Sequence, residues 1–202
     1  MSKLPLQLHG PQPRPSARSD ASRNRQALLD AAHELIESCG AHALTMDNLA
    51  SRAKVGKGTA FRHFGSRGGL MMTLISEAEA DFQRAFMFGP PPLGPGAPAL
   101  ERLISYGVER IHLILKLGQI VVEAENGVTN RHDAAPAILS RRHLELLLTE
   151  AGVTADAWVM AANLAATLEA ERILNAVERH KMPVQRLIDG WKELVTRLVM
   201  AG

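Results

Sequence analysis

Between Thr45 and Arg67 the chain carries two short apolar-faced segments separated by Lys54, Val55 and Gly56, and this stretch limits the possible fold more than any other. Thr45 stands where its hydroxyl can cap a helix, and Asp47 follows in the first turn, where the helix dipole favours an acid. Leu49, Ala50 and Ala53 supply the inner face of that helix. After the break a second short helix runs through Gly58, Thr59, Ala60, Phe61, Arg62 and His63. Two short helices joined by a break of three or four residues, with small residues at their contact, describe a helix-turn-helix.

The surrounding chain reads as helix throughout, so the expected class is all-α with about nine helices. Leu28, Ala32, Leu35, Ile36 and Cys39 share a face of a helix beginning at Ser22, with Gly40 as its C-terminal cap. On that reading Cys39 points inward. A helix from Arg67 to Phe88 ends at Gly89, where GPPPLGPGAP forms a loop. Leu100, Leu103, Ile104, Val108, Ile111 and Leu115 make the next stripe. Gln119 to Asn126 reads as a short helix and Gly127 to Asp133 as a polar turn. Pro136 opens a helix that closes near Gly152. Asp156 to Arg179 reads as one long Ala-rich helix, and Pro183 starts the last. The organisation expected is a flexible basic Pro-rich arm over 1–21 carrying Lys3, Arg14 and Arg18, a helix-turn-helix domain over 22–67, and a helical body over 68–202.

Charge separates these parts. Residues 1–75 hold ten Lys/Arg against five Asp/Glu, and residues 76–202 thirteen against sixteen. A basic first third joined to a mildly acidic remainder suits a polyanion-binding module on a body with another task. The single cysteine excludes a disulfide scaffold and a multi-cysteine zinc site, and fits a cytoplasmic location. Apolar runs stop short of a membrane span, and Gln7, Gly10, Pro11 and Pro13 break up anything resembling a signal peptide. An enzyme finds no support: the eight histidines show no HExxH or paired short spacing, and no nucleophile motif or phosphate-cradling glycine loop is present. No cofactor and no metal is expected.

In a helix-turn-helix the second helix enters the major groove with its first turns toward the bases. Those turns carry Lys57, Gly58, Thr59, Phe61 and His63. Lys57 can donate to guanine or to a phosphate, and Thr59 can meet a base methyl or a backbone oxygen. Gly58 lets the backbone approach DNA closely, and Arg67 opens the following helix, where a cation and free N–H groups suit a phosphate. A helical hairpin with a solvated basic face has the same periodicity.

The order of residues goes further. TMDNLASRAKVGKGTAFRHFGSRGGL resembles the DNA-binding segment of the TetR (tetracycline-repressor-like) family of bacterial transcription regulators, matching at Thr45, Leu49, Ala50, Val55, Gly58, Thr59, Phe61, His63, Phe64 and Arg67. The resemblance covers about Ser22 to Leu74. Lys54 departs from the glycine usual in the turn and adds a cation beside the DNA-facing set, Gly56 replaces a common capping serine, and Ala60 is smaller than the usual leucine. Carried over by position, Lys57, Gly58, Thr59, Phe61 and His63 face DNA, while Thr45 and Arg67 hold its backbone.

The resemblance also implies a homodimer on an inverted-repeat operator and a body that binds a small-molecule effector, releasing a repressor. Candidate pocket residues are the polar groups on apolar body helices: Tyr106, Glu123, Asn126, His143 and Asn163. The wide apolar surface of the terminal helices exceeds what one small domain needs to cover. Trp158, Ala162, Ala165, Leu187, Trp191, Leu194 and Leu198 are therefore expected at the dimer interface. An effector-independent DNA-binding or architectural protein, and a helical interaction adaptor, are the competing readings.

Overall fold

The computed structural model describes residues 17–118, 120 and 135–201, and the chain divides between Gly65 and Ser66 into two compact units. Every regular element among the described residues is helical. The sequence places the division two residues later, so Arg67 opens the second unit rather than closing the first.

In the first unit α1 spans Ala17–Cys39, α2 Met46–Arg52 and α3 Lys57–Phe64, with a single tight turn at Ala41–Ala43 between α1 and α2. The start of α1 lies five residues earlier than the periodicity indicates, so residues 17–21 are helix rather than arm. An apolar stripe cannot reveal that start, because Asp20, Ala21 and Ser22 are exposed; Arg23 and Asp20 form an exposed ion pair along the helix there. Lys3 and Arg14 lie outside the described residues, and of the Arg18 side chain nothing is described. The core consists of Leu28, Leu29, Ala31, Ala32 and Leu35 from α1 with Leu44, Met46, Leu49, Ala50, Ala60 and Phe64. Cys39 is exposed, contrary to expectation: it is the last residue of α1, where the apolar face has outrun its partners, and Ile36 one turn before it is already half-buried.

In the second unit α4 spans Arg67–Phe88, α5 Ala99–Leu117, α6 Ala135–Glu150, α7 Ala157–Thr167, α8 Ala170–Leu174 and α9 Val184–Met200. The loop at 89–98 and the start of α9 after Pro183 fall where the prolines and glycines indicate, and Pro136 is the second described residue of α6. The segment read as a short helix and polar turn over 119–133 lies, but for Ile120, outside the described residues.

In the second unit the Ala-rich element differs from the sequence reading. The Ala-rich stretch is not one helix to Arg179. It breaks at Leu168 and Glu169, where Glu169 is extended (φ −69°, ψ 139°), and resumes as α8. The Thr167 hydroxyl donates to the Leu164 carbonyl and Leu168 N–H to the Ala165 carbonyl, which tightens and ends the turn. The break carries Leu168, Ala170, Ile173 and Leu174 into the core, so burial overrides the helix propensity of alanine. A widened turn follows, in which His180 N–H bonds to the Asn175 carbonyl, before Lys181 turns left-handed ahead of Pro183.

The body core gathers Phe82 and Phe86 from α4, Leu103, Tyr106, Ile111 and Ile114 from α5, Leu144, Leu147 and Leu148 from α6, Leu164 from α7 and Ile188, Trp191 and Val195 from α9. Trp191 fastens α9 to α5. Its indole Nε1–H donates to the Leu103 carbonyl at 3.0 Å and the Ile104 carbonyl at 3.2 Å, and its ring occupies the space a side chain at Gly107 would fill. Only glycine permits this approach, because a Cβ on Gly107 would lie 2.0 Å from the indole. The indole is 4% exposed, which corrects the expected interface position of Trp191: its bulk is used inside the protomer. Gly107→Ala is expected to destabilise the body by about 1–3 kcal/mol, as overpacking of a filled core does. Thermal unfolding measures this, and an unchanged midpoint would contradict the packing.

Candidate nucleic-acid interface and body cluster

The geometry of α2 and α3 follows from their ends. Thr45 is extended and its hydroxyl accepts from Asn48 N–H at 3.1 Å, while the Asn48 amide returns to the Ala43 carbonyl at 2.9 Å. Thr45 therefore fixes the start of α2 as an N-cap.

The turn between the helices is a Schellman closure. Val55 N–H reaches the Ala50 carbonyl at 3.0 Å and Lys54 N–H the Ser51 carbonyl at 3.2 Å. The closure requires a left-handed residue, and Lys54 occupies it at φ 54°. The same closure ends α6, with Gly152 at φ 79°. The departure from glycine read in the sequence thus leaves the turn intact at a cost in backbone strain, and it leaves the Lys54 side chain exposed.

Helix α3 begins at Gly56 with no side-chain cap, so the amino end of the helix is not closed by a neighbouring hydroxyl or carboxylate. Ala60 and Phe64 point into the core; Ala60 is fully buried. Lys57, Gly58, Phe61 and Arg62 face outward, with Phe61 41% exposed. A Cβ added at Gly58 would meet nothing within 4 Å, so the protein itself does not require glycine there. Thr59 and His63 are half-buried on the flank of the helix. Lys57 pairs with Asp47 at 2.6 Å, both side chains being more than half exposed, and its ammonium lies 6.0 Å from the Phe61 ring. Such an exposed pair is worth little and exchanges readily for a phosphate.

The structure therefore brings together Lys57, Gly58 and Phe61 on one outward face and sets Thr59 and His63 beside it. It adds Arg62, a cation not among the sequence-predicted contacts. A helical wheel from Gly58 finds it, since Gly58 and Arg62 are four residues apart. Arg67 is the first residue of α4, whose cap is Ser66: that hydroxyl accepts from Gly69 N–H at 3.1 Å.

In the second unit two of the expected pocket residues meet. The His143 ring stacks on Phe86 (4.3 Å between centroids, 25°) and lies 5.6 Å from Tyr106, which also packs against Phe82 and Phe86. The Tyr106 hydroxyl bonds to Ser140, and burial raises its ionisation above the ordinary phenol range. Burial, and then the charge of Arg102, lower the His143 pKa from 6.5 to about 4. Asn163 is exposed and does not join this cluster, and Glu123 and Asn126 lie outside the described residues. A partly open cleft of about 300 Å³ lies elsewhere, lined by Ala85, Pro90, Pro91, Pro92, Leu93, Ser105 and Glu109. On the terminal helices Trp158 and Leu194 are 50% and 42% exposed, while Ala162, Ala165, Leu187 and Leu198 are half-buried. Among the described residues no group of His, Cys, Asp and Glu is arranged to hold a metal, and no helix is long and apolar enough to cross a membrane.

The geometry of the first unit defines a helix-turn-helix domain whose second helix turns Lys57, Gly58, Phe61 and Arg62 outward. Residues 28–72 match the model of the "Bacterial regulatory proteins, tetR family". An HTH-type transcriptional regulator of Staphylococcus aureus is 34% identical over 58 residues, 29% of this chain and 31% of its own length. The match thus spans about a third of that curated relative. The fold extends further. A transcriptional regulator from Rhodococcus sp. superposes with a TM-score of 0.62 over 90% of this chain and 96% of its own, at 16% identity. The fatty acid degradation regulator FadR from Bacillus halodurans does so with a TM-score of 0.60 over 85% and 97%, at 21% identity. At these identities the likeness is one of fold.

Two stability predictions follow from the site geometry. Lys54→Gly removes left-handed strain and is expected to raise stability by about 1 kcal/mol, read as a rise in the denaturant midpoint with the slope unchanged. His143 stays neutral in the folded chain between pH 6.5 and about 4, while the unfolded chain takes up a proton there. Wild-type stability should therefore fall as pH drops through that window, by up to roughly 3 kcal/mol relative to His143→Leu, and the two should run parallel above pH 7. Parallel curves down to pH 4 would contradict the burial assigned to His143.

Proposed function

We propose that this chain is a sequence-specific DNA-binding transcriptional regulator that acts as a homodimer on an inverted repeat, and that it is a repressor released by a small-molecule effector. The observation that carries the reading is the outward face of α3. Its backbone is left bare at Gly58, with Lys57, Phe61 and Arg62 around it, in a segment that matches a family of bacterial regulatory proteins. A helix presented this way fits a major groove, with Lys57 and Thr59 at base edges and Lys54, Thr45 and His63 along the sugar-phosphate backbone. Arg67, at the amino end of α4, supplies a further phosphate contact.

Dimerisation through α7 and α9 is part of the proposal. Trp158 and Leu194 offer the exposed apolar area, with Ala162, Ala165, Leu187 and Leu198 beneath. A two-fold dimer places two α3 helices on half-sites one or more helical turns apart. The effector site is assigned to the body cluster of Tyr106 and His143. A cytoplasmic location follows from the reading.

The test is selection of genomic fragments by the purified protein near 150 mM salt, followed by footprinting. A protected inverted repeat is expected; diffuse, salt-sensitive retention alone would overturn the sequence-specific reading. Gly58→Ala sharpens it. The substitution meets open space and improves helix propensity, so it should leave the fold intact or firmer while lowering operator affinity at least tenfold. Full affinity in that variant would remove α3 from the groove. Arg67→Ala should weaken all sequences alike and reduce the salt slope by about one.

A further inference from the structure

Arg102 is the one arginine of the body classed as buried among the described residues, at 8% exposure, and its charge is poorly matched. The guanidinium reaches the Phe86 carbonyl only at 3.4 Å and the half-exposed Glu150 carboxylate only at 3.6 Å, and its Nε has no partner. A well-made contact of this kind is shorter, about 2.7–2.9 Å, and a buried charge without one is costly. Beside it, His143 is 7% exposed and its Nε2 is likewise unpartnered. Arg102 and Tyr106 come from α5, His143 from α6 and Phe86 from α4, so an unpartnered guanidinium Nε–H and an unpartnered imidazole nitrogen lie against aromatic rings.

A buried guanidinium with only long contacts to its acceptors, beside a neutral imidazole and against apolar rings, is complementary to an anionic head on an apolar body. We propose that the body binds a small organic carboxylate whose oxygens accept from Arg102 and His143, with its apolar part against Phe86 and Tyr106. This rests on the effector role proposed for the body and names the effector's chemical class and the arginine that selects it. A neutral amide or alcohol of the same shape leaves the guanidinium uncompensated. Arg102 is the charged group shown to act on His143, and Tyr106 is the other titratable one; Phe86, from α4, brings no charge. The Arg110–Glu79 pair acts on Tyr106. Burial, and after it the charge of Arg102, holds the imidazole neutral; a carboxylate between Arg102 and His143 offsets the second and supplies an anion against the first, so its arrival should raise the His143 pKa from about 4.

The experiment is NMR titration of the histidine imidazoles in the full chain, with benzoate and octanoate as probes. Benzamide, octanamide and chloride at matched ionic strength are the controls. At least one carboxylate should saturate and move the His143 pKa up by one unit or more, and raise the melting temperature, while the amides and chloride do neither. Arg102→Gln should weaken that binding at least tenfold, and Arg102→Lys, which keeps the charge without the fork, should weaken it less. If neither arginine variant folds, the wild-type His143 response decides by itself. A His143 pKa that stays near 4 with every probe would overturn the proposal and leave the two groups to buried water. An equal response to the amides would overturn the selection by charge. Operator selection on the same preparation separates the two readings: a protected inverted repeat without any carboxylate response would sink this inference alone.

Discussion

The turn between α2 and α3 is the constraint on which the outward face of α3 depends. Two helices of seven and eight residues are too short to be stable alone, so their mutual angle has to come from the four residues between them, Ala53 to Gly56, and from what they bury. The angle is set by hydrogen bonds of Val55 and Lys54 back into α2, with Lys54 held left-handed, and the approach is set by Ala50 and Ala60, which are small enough to bury almost completely. Once the turn is closed and Ala60 and Phe64 are inward, Lys57, Gly58, Phe61 and Arg62 have no other direction to take. The function proposed for the chain is carried by that outward face.

The body is organised on a different principle. Its helices are joined by one deep engagement, the Trp191 indole laid on Gly107 and bonded to two carbonyls of α5, and around it an aromatic cluster surrounds polar groups. A core built only for stability would leave out a buried arginine and a neutral histidine, because leaving their polar atoms unmatched costs more than a packed hydrocarbon would. Their presence is the observation on which the effector class proposed for the body rests.

The helix-turn-helix was legible in the sequence because its information is local. A cap, a break and inward small residues lie within about twenty positions, and the end of α4 and the start of α9 were equally plain from glycine and proline. The start of α1 was not, since Asp20, Ala21 and Ser22 are exposed and give no apolar signature. Cys39 and Trp191 show the opposite error: each lies on an apolar stripe, but a stripe does not say where its partner ends or whether the partner is another helix of the same protomer. The break at Leu168 was invisible because alanine favours helix and only the long-range burial of Ala170, Ile173 and Leu174 opposes it. Tyr106 and His143 were found as polar residues on apolar helices, yet Arg102 was missed, since a cation in an amphipathic helix ordinarily reads as solvated.

The measurement closest to the central claim is the mapping of backbone amide shifts in the full chain as an operator duplex is added. The account predicts that the amides of Lys57, Gly58 and Thr59 move most within the first unit, with Lys54, Phe61 and Arg62 following. They should saturate at two protomers per inverted repeat. Shifts that leave α3 untouched while the duplex binds would contradict the assignment of this helix as the reader.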